Sequence, residues 1–254
     1  MIATSERRVT HPTIVRRFRV ALAFLTRLPG GRDPEDESEL AASLAAFPLV
    51  GALVGALLAG ALAAAAAWLP AAIAGAIVTA LLAIATGGLH LDGLADTFDA
   101  LGSGADRARR LEIMRDSRIG AHGAGAVALV LLAKAACLEH LAATGPLALV
   151  GALATARGLA ALAIRIFPYA RPEGLGRPFT GVGGVDLAVA SATAVAIAIA
   201  LPPGGLPAVL VASAASFSLW WWLARSLGGL TGDAYGAGIE IAEVAYLCAA
   251  AAAC

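Results

Sequence analysis

Residues 41–69 read AASLAAFPLVGALVGALLAGALAAAAAWL, 29 consecutive positions without a charged side chain. A helix crosses a bilayer with about 20 mostly apolar residues, so this stretch is long enough to span, Ala41–Leu69. Pro48 lies near its start and places that end at the interface or in a tilted segment. The run Ala63–Ala67 favours helix strongly and strand weakly. Working outward, six more apolar segments follow: Ala71–Leu89, Ala124–Ala143, Pro146–Phe167, Asp186–Leu201, Leu206–Leu227 and Ala237–Cys254. The fifth and seventh segments are short, and a re-entrant or partly interfacial placement stays open for both. No alternation of apolar and polar residues runs through these segments, which excludes a transmembrane barrel. The expected fold is all-α, a polytopic membrane bundle of six or seven transmembrane helices forming one domain over residues 1–254.

Composition agrees. Of 254 residues 59% are hydrophobic and only 14% charged, and the mean hydropathy is +0.82. Soluble domains are nearer one-quarter charged, so most of this chain cannot face water. That excludes a soluble globular enzyme and a disordered chain. The 18 Lys+Arg balance 18 Asp+Glu, and without a basic field the chain is not a nucleic-acid binder. Cys137, Cys248 and Cys254 lie in apolar surroundings without metal-ligand spacing, so no disulfide framework is expected.

Residues 1–36 form a cytoplasmic tail and an amphipathic interfacial helix. The apolar stretch Val20–Leu25 is too short for a cleavable signal and lacks a small-residue cleavage site. Arg16, Arg17, Arg19 and Arg27 flank Phe18, Ala21, Leu22 and Leu25, a pattern suited to a helix on the membrane surface. The distribution of basic residues sets the topology. Seven precede residue 33, five lie in Arg107–Arg118, and Arg171, Arg177 and Arg225 sit in later connections, whereas the turns near Pro70, Thr144–Gly145 and Pro202–Gly205 carry none. The charged connections are therefore cytoplasmic, and strict alternation of seven spans gives the same sides. The N-terminus is inside, and the long connections 89–123, 168–185 and 226–236 open on that one face. The expected location is a multi-pass protein of the cell inner membrane with its chemistry at the cytoplasmic surface.

The first of these connections carries GGLHLDGLADTFD, residues 87–99. Asp92, Asp96 and Asp99 are spaced i, i+4, i+7 and share one face of a helix. Carboxylates stacked this closely repel one another without a cation, and hard oxygen ligands suit Mg²⁺ or Mn²⁺, which keep waters and bind substrate phosphates. The alternative is a solubilising helix start. Gly87, Gly88 and Gly93 fit a helix break or a close backbone approach. His90 is open to phosphate contact, ligation, base catalysis or a structural hydrogen bond.

Downstream, RARRLEIMRDSRIG (107–120) sets five arginines beside those acids, which makes sense for a phosphate ester. Positive-inside bias is the competing reason for Arg107, Arg109 and Arg110. Asp116 offers a fourth acid at the same mouth. Arg171 stands in a Pro/Gly turn, and the glycine-rich turn 228–233 ends in Asp233, with Glu240 and Glu243 entering the last span. Inside the membrane, Lys134, Arg157 and Arg165 need partners or an exit. Glu240 or Glu243 is the expected partner of Arg157, Glu139 of Lys134, and Arg165 snorkels. The residues alone point to a metal-dependent enzyme acting on a phosphorylated, bulky substrate. The rival is an ion-coupled membrane transporter using the acids as an ion site, although the acids cluster at one mouth and no inverted repeat is evident.

Together these stretches resemble the adenosylcobinamide-GDP ribazoletransferase (cobalamin synthase) family. The resemblance runs nearly end to end, through Phe24–Pro29, Phe47–Gly51, Gly87–Asp99, Leu111–Gly120, Ala156–Gly158, Glu173–Gly176 and Gly228–Glu243. It implies transfer of adenosylcobinamide-GDP onto α-ribazole or its 5′-phosphate, with release of GMP and a need for Mg²⁺, Mn²⁺ being a substitute. By the same resemblance, Asp92, Asp96, Asp99 and Asp116 are catalytic and metal-binding and His90 is catalytic. Arg115, Arg118, Arg157, Arg171 and Asp233 are substrate contacts. Ala100, where the family often has Gly, and Gly30-Gly31 after Pro29 are mild departures. The implied partners are these substrates and the lipid bilayer, with no nucleic acid; whether the chain is a homo-oligomer stays open.

Overall fold

The computed structural model describes residues 13–201 and 205–254; the tail at 1–12 lies outside them. Eleven helices follow in order: α1 Ile14–Leu25, α2 Glu37–Ser43, α3 Phe47–Ala66, α4 Ala71–Thr86, α5 Leu89–Gly102, α6 Arg107–Ile113, α7 Ala121–Thr144, α8 Ala148–Ile166, α9 Gly184–Ala200, α10 Gly205–Leu227 and α11 Gly232–Ala252. Every apolar segment is a helix, and the described residues contain no strand, only one isolated bridge between Tyr169 and Leu230. Among the described residues five helical runs are long and apolar enough to cross a membrane, Glu37–Ala66, α7, α8, α10 and α11, and the bent pair α4–α5 makes six if counted as one span. The α9 helix is apolar but only 17 residues long. This is a polytopic membrane bundle, as the sequence predicts.

Three boundaries differ from expectation, each for a local reason. The first span is interrupted by a 3₁₀ turn at Leu44–Ala46, and α3 starts at Phe47. Pro48 falls in its first turn, where its missing N–H leaves no helical bond unmade. The second span ends at Thr86, because Gly87 and Gly88 both adopt left-handed φ, 62° and 71°. Their N–H groups donate to Ile84 O (3.0 Å) and Ala83 O (2.9 Å), closing α4. The chain then turns by 92° into α5, which crosses the mouth of the bundle rather than continuing the span. The last span is not short: it has 21 residues and starts at Gly232. Thr231 caps it, its Oγ1 accepting the Ala234 N–H at 3.2 Å, so Asp233 belongs to the first turn of α11 rather than to a loop.

Apolar side chains gain little by leaving lipid for protein, so membrane helices associate through close packing. Glycine provides it here. A Cβ at Gly55 of α3 would stand 2.6 Å from Val150 Cα on α8, and one at Gly75 of α4 2.7 Å from Ala135 O on α7. Between α10 and α11, the Trp220 indole is fully buried and donates to Ala234 O at 2.8 Å. The α1 helix is amphipathic, but its apolar face is covered by protein. Val20, Ala21, Leu22 and Leu25 are buried, and Phe24 packs with Phe47 and Phe179 (ring centroids 5.8 and 5.1 Å). Its polar face is tied down as well, Arg16 to Glu35 and Glu39 and Arg17 to Asp186.

The three cations inside the spans resolve differently. Arg165 lies exposed in the last turn of α8. Lys134 of α7 bonds Glu240 (2.7 Å) and Glu243 of α11, not Glu139. Arg157 of α8 bonds Glu243 and the Leu153 carbonyl (3.3 Å). All four charged side chains are at most 5% exposed, and two positive charges meet two negative ones. Glu139 is one turn away on the exposed side of α7, which is why sequence proximity misleads. Removing one member of a buried pair costs roughly 3–5 kcal/mol by leaving the other charge uncompensated. Glu243→Leu should therefore abolish the monodisperse peak in detergent size-exclusion chromatography, whereas Glu139→Gln should leave elution and melting temperature unchanged.

Candidate functional site

The site is built where α5 crosses the start of α11. A Cβ at position 93 would stand 2.7 Å from the Asp233 carbonyl oxygen, so Gly93 lets the two backbones touch. Gly236 plays the reciprocal part beside the His90 backbone, at 3.3 Å from its Cα. The other side of α5 is apolar: Leu94 is buried against Val130 of α7 and Ala237 of α11. This anchoring turns Asp92, Asp96 and Asp99 toward the mouth. Asp92 is exposed, Asp96 half-buried.

The four acids expected as metal ligands do not act as one group. Burial first, and then the charges of Asp233, Asp92 and Asp99, together push the Asp96 carboxyl up to about 7. Asp99 is engaged in structure: its two oxygens accept the N–H groups of Gly120 (2.6 Å) and Gly123 (2.8 Å), capping α7. Asp116 lies on the turn after α6, bonded by Arg118 (2.6 Å), which holds its carboxyl at about 2. Arg118 is itself 86% exposed. The acid that joins Asp92 and Asp96 is Asp233. Among the described residues no three His, Cys, Asp or Glu side chains enclose a metal position by themselves. Mg²⁺ commonly needs only one or two carboxylates, with waters and substrate phosphates completing its shell. The like charges around Asp96 are the electrostatic condition such an ion relieves, so one or two of Asp92, Asp96 and Asp233, completed by water and phosphate oxygens, suit it.

Arginines stand on two sides of these acids. Arg171 donates to Asp233 (3.2 Å) and to the Leu111 carbonyl (3.3 Å), joining the 168–185 connection, α6 and α11. Its buried Nε has no partner among the described residues. Backbone bonds Ala170 N–H to Leu230 O and Leu230 N–H to Pro168 O, both 2.8 Å, hold that connection in place. Arg107, Arg115 and Arg171 line one cleft, a triple guanidinium surface matched to phosphate oxygens. A second cleft joins Arg27, Gly87, Gly88 and Asp92.

Arg27 is the residue that sequence reading missed, because it was assigned to the interfacial helix. Its backbone N–H donates to Ala85 O at 2.8 Å, which carries it to the bend. The Phe24–Pro29 motif was the one available signal. Arg157, expected as a substrate contact, is instead buried in the ion pair with Glu243. His90 is 4% exposed, and its Nδ1 has no hydrogen-bond partner among the described residues. Burial, with the Arg157 charge next, pushes the imidazole down to about 3, so it is neutral.

Asp96 also predicts a pH signature. Its folded pKa lies above the ordinary carboxylate value, so the folded state binds more protons between about pH 4 and 7 and metal-free stability falls as pH rises through that window. Thermal melts in EDTA should show wild-type stability declining from pH 5 to pH 8, with Asp96→Asn flattening the decline and melting higher at pH 8. A steeper decline in the variant would contradict this electrostatic account. Mg²⁺ should stabilise the wild type at pH 8 and leave the variant little changed.

A model of the cobalamin-5-phosphate synthase family matches residues 17–251. Proteins named adenosylcobinamide-GDP ribazoletransferase from Shigella dysenteriae serotype 1, Escherichia coli O9:H4 and Shigella boydii serotype 18 are each 42% identical over 241 residues, covering 91% of this chain and 98% of theirs. No solved structure matches. Nothing in these relatives supports an ion-coupled transporter. Matched over nearly its whole length, bend and acid crossing included, the chain belongs to the cobalamin-5-phosphate synthase family.

Proposed function

We propose that the protein is the membrane transferase that joins adenosylcobinamide-GDP to α-ribazole or its 5′-phosphate, releasing GMP. The observation that carries this reading is the meeting of Asp92, Asp96 and Asp233 between two arginine-lined clefts, in a chain 42% identical to enzymes of that name. A ribose hydroxyl oxygen forms a bond to the phosphorus on the cobinamide side. The bond from that phosphorus to the bridging oxygen breaks, GMP leaves with the electron pair, and the hydroxyl proton passes to solvent. Arg107, Arg115 and Arg171 hold the pyrophosphate and stabilise charge on the departing GMP. Arg27 neutralises the cobinamide-side phosphate next to Asp92. Asp92, Asp96 and Asp233 would hold Mg²⁺, which when bound supplies charge neutralisation to the phosphoryl oxygens. Asp99 and Gly93 act one step back, keeping α5 against α7 and α11.

The arginines, acids and both clefts lie at the ends of helices joined by the long charged connections. The positive-inside rule puts these ends in the cytoplasm. The membrane concerned is the cell inner membrane. A wide mouth at the surface suits a substrate as large as cobinamide.

Detergent-purified protein given adenosylcobinamide-GDP and α-ribazole should release GMP and form the cobalamin product only with Mg²⁺, and EDTA should stop it. Absence of product from folded protein supplied with both substrates would overturn the reading. Asp92→Asn and Asp233→Asn should lower turnover about 100-fold or more, in line with losing preorganised stabilisation of transition-state charge. Arg118→Ala and Asp116→Asn should change it little, since that pair closes on itself. Arg27→Ala should raise the KM for adenosylcobinamide-GDP and leave that for α-ribazole unchanged.

A further inference from the structure

Beneath the Leu175–Gly176 turn lies an apolar cavity that no step of the chemistry above uses. Its interior space is about 80 Å³, several times the roughly 10–15 Å³ that admits one water, and its mouth is open. Phe24, Phe47, Phe179 and Tyr235 supply aromatic walls, and Ala160 and Ile239 complete the apolar lining. Two polar groups break this pattern, a ring nitrogen of His90 and the hydroxyl of Tyr235, each buried without a hydrogen-bond partner among the described residues. His90 lines the same cavity, almost fully buried, with Nδ1 unpartnered among the described residues. A buried polar atom left unpaired costs about 1–3 kcal/mol, so a ligand that completes the bond here recovers that cost. The cavity also adjoins the acids. Leu89 and His90 line it from the turn of α5 that carries Asp92, and Gly232, Tyr235 and Gly236 line it from the turn of α11 that carries Asp233.

We infer that this cavity receives the benzimidazole ring of ribazole, with the ribose emerging at the α5–α11 crossing next to the acids. A flat bicyclic heteroaromatic matches both features: its faces and methyl groups meet the aromatic walls, and its single imine nitrogen accepts a hydrogen bond. The buried His90 Nδ1–H donates that bond. The assignment makes His90 a substrate-binding and positioning residue instead of a base, and it rests on the ribazole transfer proposed above. It also gives the Glu173–Gly176 stretch a use: Gly176 packs on the Tyr169 ring, where a Cβ would come within 2.9 Å, and so holds the roof of the cavity.

The test compares three ribosides with the full-length protein in detergent at saturating adenosylcobinamide-GDP: α-ribazole, its analogue without the two ring methyls, and an indole analogue without the imine nitrogen. Losing the methyls should raise KM about tenfold, from roughly 0.8 kcal/mol per buried carbon. Losing the nitrogen should also raise KM about tenfold in the wild type and have no effect in His90→Phe. Ala160→Leu fills the cavity and should raise the KM for α-ribazole, invert the preference toward the methyl-free analogue, and leave the KM for adenosylcobinamide-GDP unchanged. Equal penalties for indole and benzimidazole in wild type and His90→Phe, or no change of preference in Ala160→Leu, would overturn the inference while ribazole transfer stands. Calorimetric binding of α-ribazole alone separates the two claims. If the wild type forms no product yet binds α-ribazole and loses that binding in Ala160→Leu, the transferase reading fails and the cavity assignment survives. Failure of folded wild type to bind the riboside at all would overturn the assignment.

Discussion

Four charges buried together in the bundle hold α11, which carries Asp233, against α7 and α8. Lys134 on α7, Arg157 on α8 and the pair Glu240 and Glu243 on α11 have almost no contact with solvent or lipid. None of them is tolerable alone in a low dielectric, since an isolated buried charge costs several kcal/mol after all relaxation. Each position is therefore acceptable only when the other helices are in register. The network fixes the depth of α11 relative to α7 and α8 in a way that slippery alanine and leucine surfaces cannot. Setting that depth brings Asp233 level with α5 and puts the cation pair beneath His90.

Above this network, the site depends on places where a side chain would be in the way. Gly87 and Gly88 permit the two consecutive left-handed residues that turn α4 into α5. Gly93 permits contact with Asp233, and Gly120 and Gly123 allow Asp99 to reach two amides of the next helix. The acids are thus held by backbone geometry in an arrangement that is unfavourable without a cation, as the raised Asp96 carboxyl records. Stability is given up locally at the mouth and recovered in the bundle, where close helix packing and the paired charges supply it. A rigid framework of this kind lets repelling groups stay near one another.

The fold was legible because membrane-spanning helices obey two local rules, length and apolarity. All seven expected segments are helical, and Arg107, Arg115 and Arg171 from separate connections meet at one cleft. The interfacial helix was found by its pattern, yet amphipathicity does not say whether lipid or protein covers the apolar face; here Phe47 and Phe179 do. The site was partly legible. The i, i+4, i+7 spacing placed Asp92, Asp96 and Asp99 on one face, and the family resemblance singled out Asp233 and Arg171. It also grouped Asp99 and Asp116 with the acids expected to bind metal; in the fold Asp99 caps α7 and Asp116 pairs with Arg118.

By itself, then, the sequence determined a multi-helix membrane protein with acids and arginines gathered at one face, since hydropathy and helical spacing act within a few turns of chain. Only the tertiary structure decided which of those charges meet. Lys134 passed over Glu139 for partners more than 100 residues away, Arg157 went to the interior, and Arg27 came from an N-terminal helix to stand beside Asp92. Those choices depend on helix depth and rotation, which the buried network and the glycine contacts set between segments far apart in the chain. No local pattern of residues encodes that register, because a charge finds its partner across a bundle rather than along a helix.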